Sequence, residues 1–75
     1  MIDGRAVVHP GATLASDVTV GPFSVIEEDV VIGSRTKIDS HVIIRSGTHI
    51  GQDNRIYSFS SVGEDPQFAG YDGEP

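Results

Sequence analysis

Apolar positions recur in this chain every six residues. They run from Ile2 through Val8, Leu14, Val20, Ile26, Ile32, Ile38, Ile44, Ile50 and Ile56 to Val62 without a slip. A helix places side chains on one face every 3.6 residues, and a flat strand does so every second residue. A six-residue schedule fits neither, but it does fit a strand that turns a corner once per repeat. The fourth residue after each anchor supports this. Ala6, Ala12, Val18, Ser24, Val30, Thr36, Val42, Thr48 and Ser60 are all small or β-branched, as a crowded inward position requires, and Asn54 alone departs. Gly21, Gly33, Gly51 and Gly63 directly follow anchors, with Asp3 and Asp39 at the same phase. Such residues tolerate tight or left-handed backbone, so this phase is read as the corner.

The pattern predicts an all-β parallel solenoid over residues 1–62 and no helix of useful length. Residues 63–75 contain three glycines and two prolines, and they read as a loop leaving the coils. Long loops on regular scaffolds are commonly functional. Three hexapeptides per triangular coil would stack residues eighteen apart at about 4.8 Å. That stacking predicts three outward ladders: Arg5, Phe23, His41 and Phe59; Asp17, Arg35 and Asp53; and His9, Glu27 and Arg45. The charge ladders alternate in sign, as parallel superposition favours, and exposed pairs of this kind contribute little. Aromatic residues in an outward line also suit a subunit interface.

Composition narrows the function. Five basic against eleven acidic residues give a formal charge of −6, with no basic cluster to neutralise phosphates, so a nucleic-acid partner is not expected. No cysteine is present, which removes disulfides, thiolate metal sites and a cysteine nucleophile. The sequence has no run long enough for a membrane span, and its start shows no leader pattern, so a cytoplasmic setting is expected. His9, His41 and His49 fall on different ladders, so no metal site is expected within one subunit.

Particular residues carry a narrower resemblance. Met1-Ile2-Asp3 with Val8-His9-Pro10, then Asp53-Asn54-Arg55-Ile56-Tyr57, then Val62-Gly63-Glu64-Asp65-Pro66-Gln67 resemble the N-terminal portion of the UDP-N-acetylglucosamine O-acyltransferases that begin lipid A synthesis. The resemblance implies a left-handed parallel β-helix, here about three and a half coils, in a cytoplasmic homotrimer with active sites between subunits. Handedness comes from the resemblance alone, since parallel crossovers are ordinarily right-handed. The implied reaction transfers a 3-hydroxyacyl chain from acyl carrier protein to the 3-position of UDP-N-acetylglucosamine, with a histidine as general base and no cofactor. That histidine belongs to later coils in the family, and none of His9, His41 or His49 matches it.

Gln67 matches a substrate-binding position of the family. The next family residues are Asp-Leu-Lys-Tyr, whereas this chain reads Phe68-Ala69-Gly70-Tyr71, replacing a carboxylate and an ammonium. The expectation is an N-terminal segment of such an enzyme, inactive by itself. The alternatives are a non-catalytic trimerising solenoid, a truncated remnant, and, more weakly, a metal-dependent hydratase on the same fold.

Overall fold

In the computed structural model, residues 1–63 can be described, and they form stacked coils. Ten two-residue strands, numbered in chain order, sort into three parallel sheets. The first face holds β1 (Val7–Val8), β4 (Val25–Ile26), β7 (Ile43–Ile44) and β10 (Ser61–Val62). The second holds β2 (Thr13–Leu14), β5 (Val31–Ile32) and β8 (His49–Ile50), and the third β3 (Thr19–Val20), β6 (Lys37–Ile38) and β9 (Arg55–Ile56). Every pairing has an offset of eighteen residues, as in Val8 with Ile26 and Ile26 with Ile44. Ile2 continues the third face through a parallel bridge to Val20. The fold is a left-handed parallel β-helix.

Each strand buries its anchor and turns the preceding residue outward. Val20, Ile26, Ile32, Ile38 and Ile44 form the core together with Val18, Val30 and Val42 from the small-residue phase. Full burial of an aliphatic side chain contributes about 1.5–3 kcal/mol, so the central coils carry most of the apolar stabilisation. Val8, Leu14, Ile50, Ile56 and Val62 at the two ends are only partly buried, because each lacks a neighbouring coil on one side among the described residues.

The polar members of the small-residue phase link coils through their hydroxyls. Ser24 Oγ donates to the Asp39 carbonyl at 2.6 Å and accepts the Val42 amide at 3.0 Å. Thr36 Oγ1 repeats this with the Gly51 carbonyl at 2.8 Å and the Asn54 amide at 3.4 Å. A buried hydroxyl is thus satisfied as donor and acceptor, and it ties one corner to the next. Asn54, which departs from the small-residue pattern, is exposed at the last described coil, where its larger side chain meets no crowding.

The corner chemistry differs from the sequence expectation. Left-handed backbone lies at the third residue after the anchor, at Phe23, Asp29, Arg35, His41, Asp53 and Phe59, with φ between 56° and 65°, and at Gly47 with φ 82°. A non-glycine residue there costs on the order of 1–2 kcal/mol. Contacts between coils hold it in place. The Asp53 amide donates to the Ser34 carbonyl at 2.8 Å and the Phe59 amide to the His41 carbonyl at 3.0 Å. Gly21 and Gly33, one residue after an anchor, serve close approach instead. A Cβ on Gly21 would sit 2.8 Å from the Asp39 carbonyl carbon, and one on Gly33 2.8 Å from that of Gly51. Gly63 shares this phase but has φ +87°, unlike the other two.

Three stability outcomes follow, all readable by urea or thermal unfolding. Gly33→Ala lowers stability by about 1–3 kcal/mol, because backbone rather than a mobile side chain must yield. Gly51→Ala, whose new Cβ would meet only Asn54 Nδ2 at 3.7 Å, stays within about 0.5 kcal/mol. Thr36→Val keeps the shape but strands the Gly51 carbonyl and the Asn54 amide, and it costs about 1–3 kcal/mol.

Candidate functional site

The eighteen-residue register brings together the side chains that the sequence places on common ladders. Left-handed backbone at Phe23, His41 and Phe59 points all three rings outward at one corner, between the third and first faces. The Phe23 and His41 ring centroids are 5.3 Å apart, and those of His41 and Phe59 are 5.1 Å apart and stacked. Arg5 extends the column, its guanidinium 5.4 Å from the Phe23 centroid. The spacing of the rings is close to that of the coils, so the backbone repeat itself sets the stack.

The charge ladders form as expected. Arg35 Nε donates to Asp53 Oδ1 at 2.7 Å and Nη2 to Oδ2 at 2.9 Å, a two-pronged pair, while the Arg35 amide donates to Asp17 Oδ1 at 3.2 Å. Arg45 lies 3.3 Å from Glu27. Two further pairs fall outside the eighteen-residue rule: Arg5 with Asp3, and Arg55 with Asp39, each at 3.0 Å. The hydrogen bonds from the Arg35 guanidinium hold the Asp53 carboxyl below its ordinary value, and Arg5 does the same to Asp3. The corresponding arginines are raised. All these groups are solvated, so the pairs order the surface more than they stabilise the fold.

The histidines sit in three separate settings. His9 Nδ1 accepts the Gly11 amide at 2.8 Å, which puts the proton of the neutral ring on Nε2. It is therefore not set up to take a proton through Nε2. His41 lies between two phenyl rings, and His49 projects from β8 beside Val31 on the second face. Among the described residues no three metal-ligating side chains gather. Gln67 and the loop expected over residues 63–75 lie outside the described residues, apart from Gly63.

An apolar surface adjoins the aromatic corner. Across the first face the outward column is Val7, Val25 and Ile43, ending at Ser61. At its far edge a groove of about 480 Å³ opens between Val7, Val25, His9, Pro10, Glu28 and Ser46. The sequence did carry a signal for the column, because the residue before the anchor is aliphatic at Val7, Val25 and Ile43, three repeats apart each time. The anchors themselves dominate the pattern and hide it. The Arg55–Asp39 pair was missed because its sixteen-residue offset runs diagonally between neighbouring coils rather than along the eighteen-residue stack.

The bacterial transferase hexapeptide (six repeats) family model matches residues 29–64. Over those residues the chain is similar to the hexapeptide-repeat transferases. Among solved structures this hexapeptide-repeat chain is similar to the UDP-N-acetylglucosamine acyltransferase of Francisella novicida. Identity is 45% with a TM-score of 0.88, over 95% of this chain and 26% of that one. LpxA from Acinetobacter baumannii shows 46% identity and a TM-score of 0.86, over 97% of this chain and 28% of that one. The UDP-N-acetylglucosamine O-acyltransferase of Moraxella catarrhalis shows 39% identity and a TM-score of 0.86, over 99% and 29%. The chain thus spans between a quarter and a third of their length. No curated protein matches it. Among the described residues no helix is long and apolar enough to cross a membrane.

The Arg35 pair gives a pH-dependent outcome. The Asp53 pKa is lowered in the folded chain, so the pair's contribution is present above the unfolded carboxyl value of about 3.9. It is lost as pH falls through the lower folded value. Carboxyl-carbon NMR titration finds the Asp53 midpoint below that of an ordinary aspartate, and Arg35→Gln returns it to the ordinary range.

Proposed function

We propose that this chain is the N-terminal β-helix segment of an acyltransferase. The enzyme moves a 3-hydroxyacyl chain from acyl carrier protein to the 3-position of UDP-N-acetylglucosamine, the first step of lipid A synthesis, in the cytoplasm. The observation that carries the reading is 34–46% identity to four such acyltransferases over 95–99% of the chain. In this reading the described coils are scaffold, and Gln67 contacts the nucleotide sugar. A histidine of later coils takes the proton of the sugar 3-hydroxyl as its oxygen attacks the thioester carbonyl. The new C–O bond forms, the C–S bond breaks, and the carrier thiol leaves. The working unit is a homotrimer with sites between subunits, and no cofactor takes part.

A second reading is a trimerising solenoid without chemistry of its own. It is supported by the histidine placements, above all the occupied Nδ1 of His9, and by Phe68 and Gly70 in place of the family's polar pair.

A chimera separates the two. Residues 1–75 replace the matching coils of the Acinetobacter baumannii protein, and acyl transfer to UDP-N-acetylglucosamine is assayed with 3-hydroxyacyl carrier protein. The acyltransferase reading expects turnover, and Gln67→Ala in the chimera raises KM for the nucleotide sugar about tenfold. A folded, assembled chimera that transfers no acyl group supports the module and overturns the enzyme segment.

A further inference from the structure

The first coil contains the step Asp3-Gly4. An aspartate followed by glycine is open to attack by the glycine amide on the side-chain carboxyl, because glycine sets no Cβ beside its nitrogen and leaves the backbone free to rotate. Gly4 is exposed, and a Cβ built on it would meet nothing within 4 Å. Its amide donates no hydrogen bond among the described residues. The nucleophile is therefore unhindered.

The electrophile is held. Asp3 Oδ1 accepts the Arg5 amide at 2.8 Å and Arg5 Nε at 3.0 Å, while Oδ2 accepts Nη2 at 3.1 Å. The guanidinium is in turn seated 5.4 Å from the centroid of the Phe23 ring on the next coil. These hydrogen bonds favour the ionised carboxyl and keep its pKa below the ordinary value. Ionisation matters to the chemistry, since a carboxylic acid can expel water under attack and a carboxylate cannot.

We propose that Asp3-Gly4 is a latent site of isoaspartate formation, kept closed by the two-pronged clamp of Arg5. In the modifying step the Gly4 nitrogen bonds to Asp3 Cγ and the Cγ–OH bond breaks. The hydroxyl leaves as water with the proton given up by the amide nitrogen, and a five-membered succinimide remains. Water then opens the ring. Addition at Cγ restores aspartate, whereas addition at the α-carbonyl routes the main chain through Cβ and Cγ and frees an α-carboxylate. No oxidant, reductant or cofactor enters the balance.

The site lies where the change is felt. The Asp3 amide donates to the Val20 carbonyl at 2.9 Å and the Asp3 carbonyl accepts the Ala6 amide at 3.0 Å, so this residue joins the Ile2 bridge to the first turn. An added methylene shifts the first bond out of register, and loss of the main-chain carbonyl removes the second. The pairing of Ile2 with Val20 loosens, while the coils below, which stack on one another, stay folded.

Ageing of the full chain at neutral pH, followed by peptide mapping with electron-transfer fragmentation, tests the proposal. Asp72-Gly73 serves as an internal reference, because the same dipeptide is followed there by Glu74 and not by arginine. Isoaspartate at Asp3 accumulates several-fold faster in Arg5→Gln than in the unsubstituted chain, and the rate at Asp72 is the same in both. Adding Gly4→Ala suppresses it several-fold. In the converted chain the Val20 amide, which donates to the Met1 carbonyl at 2.9 Å, exchanges its hydrogen faster. A pH profile reads the clamp even if Arg5→Gln fails to fold: conversion of Asp3 in the unsubstituted chain falls away at lower pH than in a free peptide of residues 1–10. Equal rates at Asp3 with and without Arg5, or a pH profile matching the peptide, overturn the clamp. Absence of isoaspartate at Asp3 in Arg5→Gln after Asp72 has converted overturns the site.

Discussion

Everything in this molecule depends on the superposition of residues eighteen positions apart. The strands are only two residues long, too short to hold a sheet by local preference, and each exists because a copy lies above or below it. Backbone bonds such as the Val25 amide to the Val42 carbonyl at 2.8 Å supply the ladder, and the stacked anchors supply the apolar core. Neither is sufficient alone. The backbone bonds need the anchors to exclude water, and the anchors need the ladder to keep them in one column.

That superposition also explains how the corners tolerate unfavourable backbone. Phe23, His41 and Phe59 occupy a left-handed conformation that glycine would adopt at less cost. Amide bonds to the preceding coil and ring stacking compensate, and the gain is a column of side chains aimed outward. Glycine is used where two backbones come too close for a Cβ, at Gly21 and Gly33. The two kinds of corner residue therefore answer different constraints, steric at the first turn position and conformational at the third.

The surface divides by the same arithmetic. Because each outward phase on a face repeats every third hexapeptide, a change of residue type at one phase writes a whole vertical stripe. One stripe is aliphatic, the corner beside it aromatic, another corner a ladder of alternating charge. The scaffold is similar, at 34–46% identity, to part of UDP-N-acetylglucosamine acyltransferases. The three histidines of the chain remain apart from one another, on two faces or corners and in the aromatic stack.

The sequence by itself determined the repeat, the identity of every buried anchor, the all-strand architecture and the membership of all three ladders. The reason is that each of these depends on spacing alone. It also carried, through Gln67 and its flanking motif, the resemblance on which the substrate proposal stands. Which corner residue takes the left-handed conformation was decided only by the tertiary structure. Glycine marks permissiveness in a sequence, but whether that freedom serves φ or clearance depends on the coil above. The Arg55–Asp39 pair and the groove beside Glu28 were likewise settled by the coils. Each arises where residues of different phases on neighbouring coils meet, and no single period in the chain records that distance.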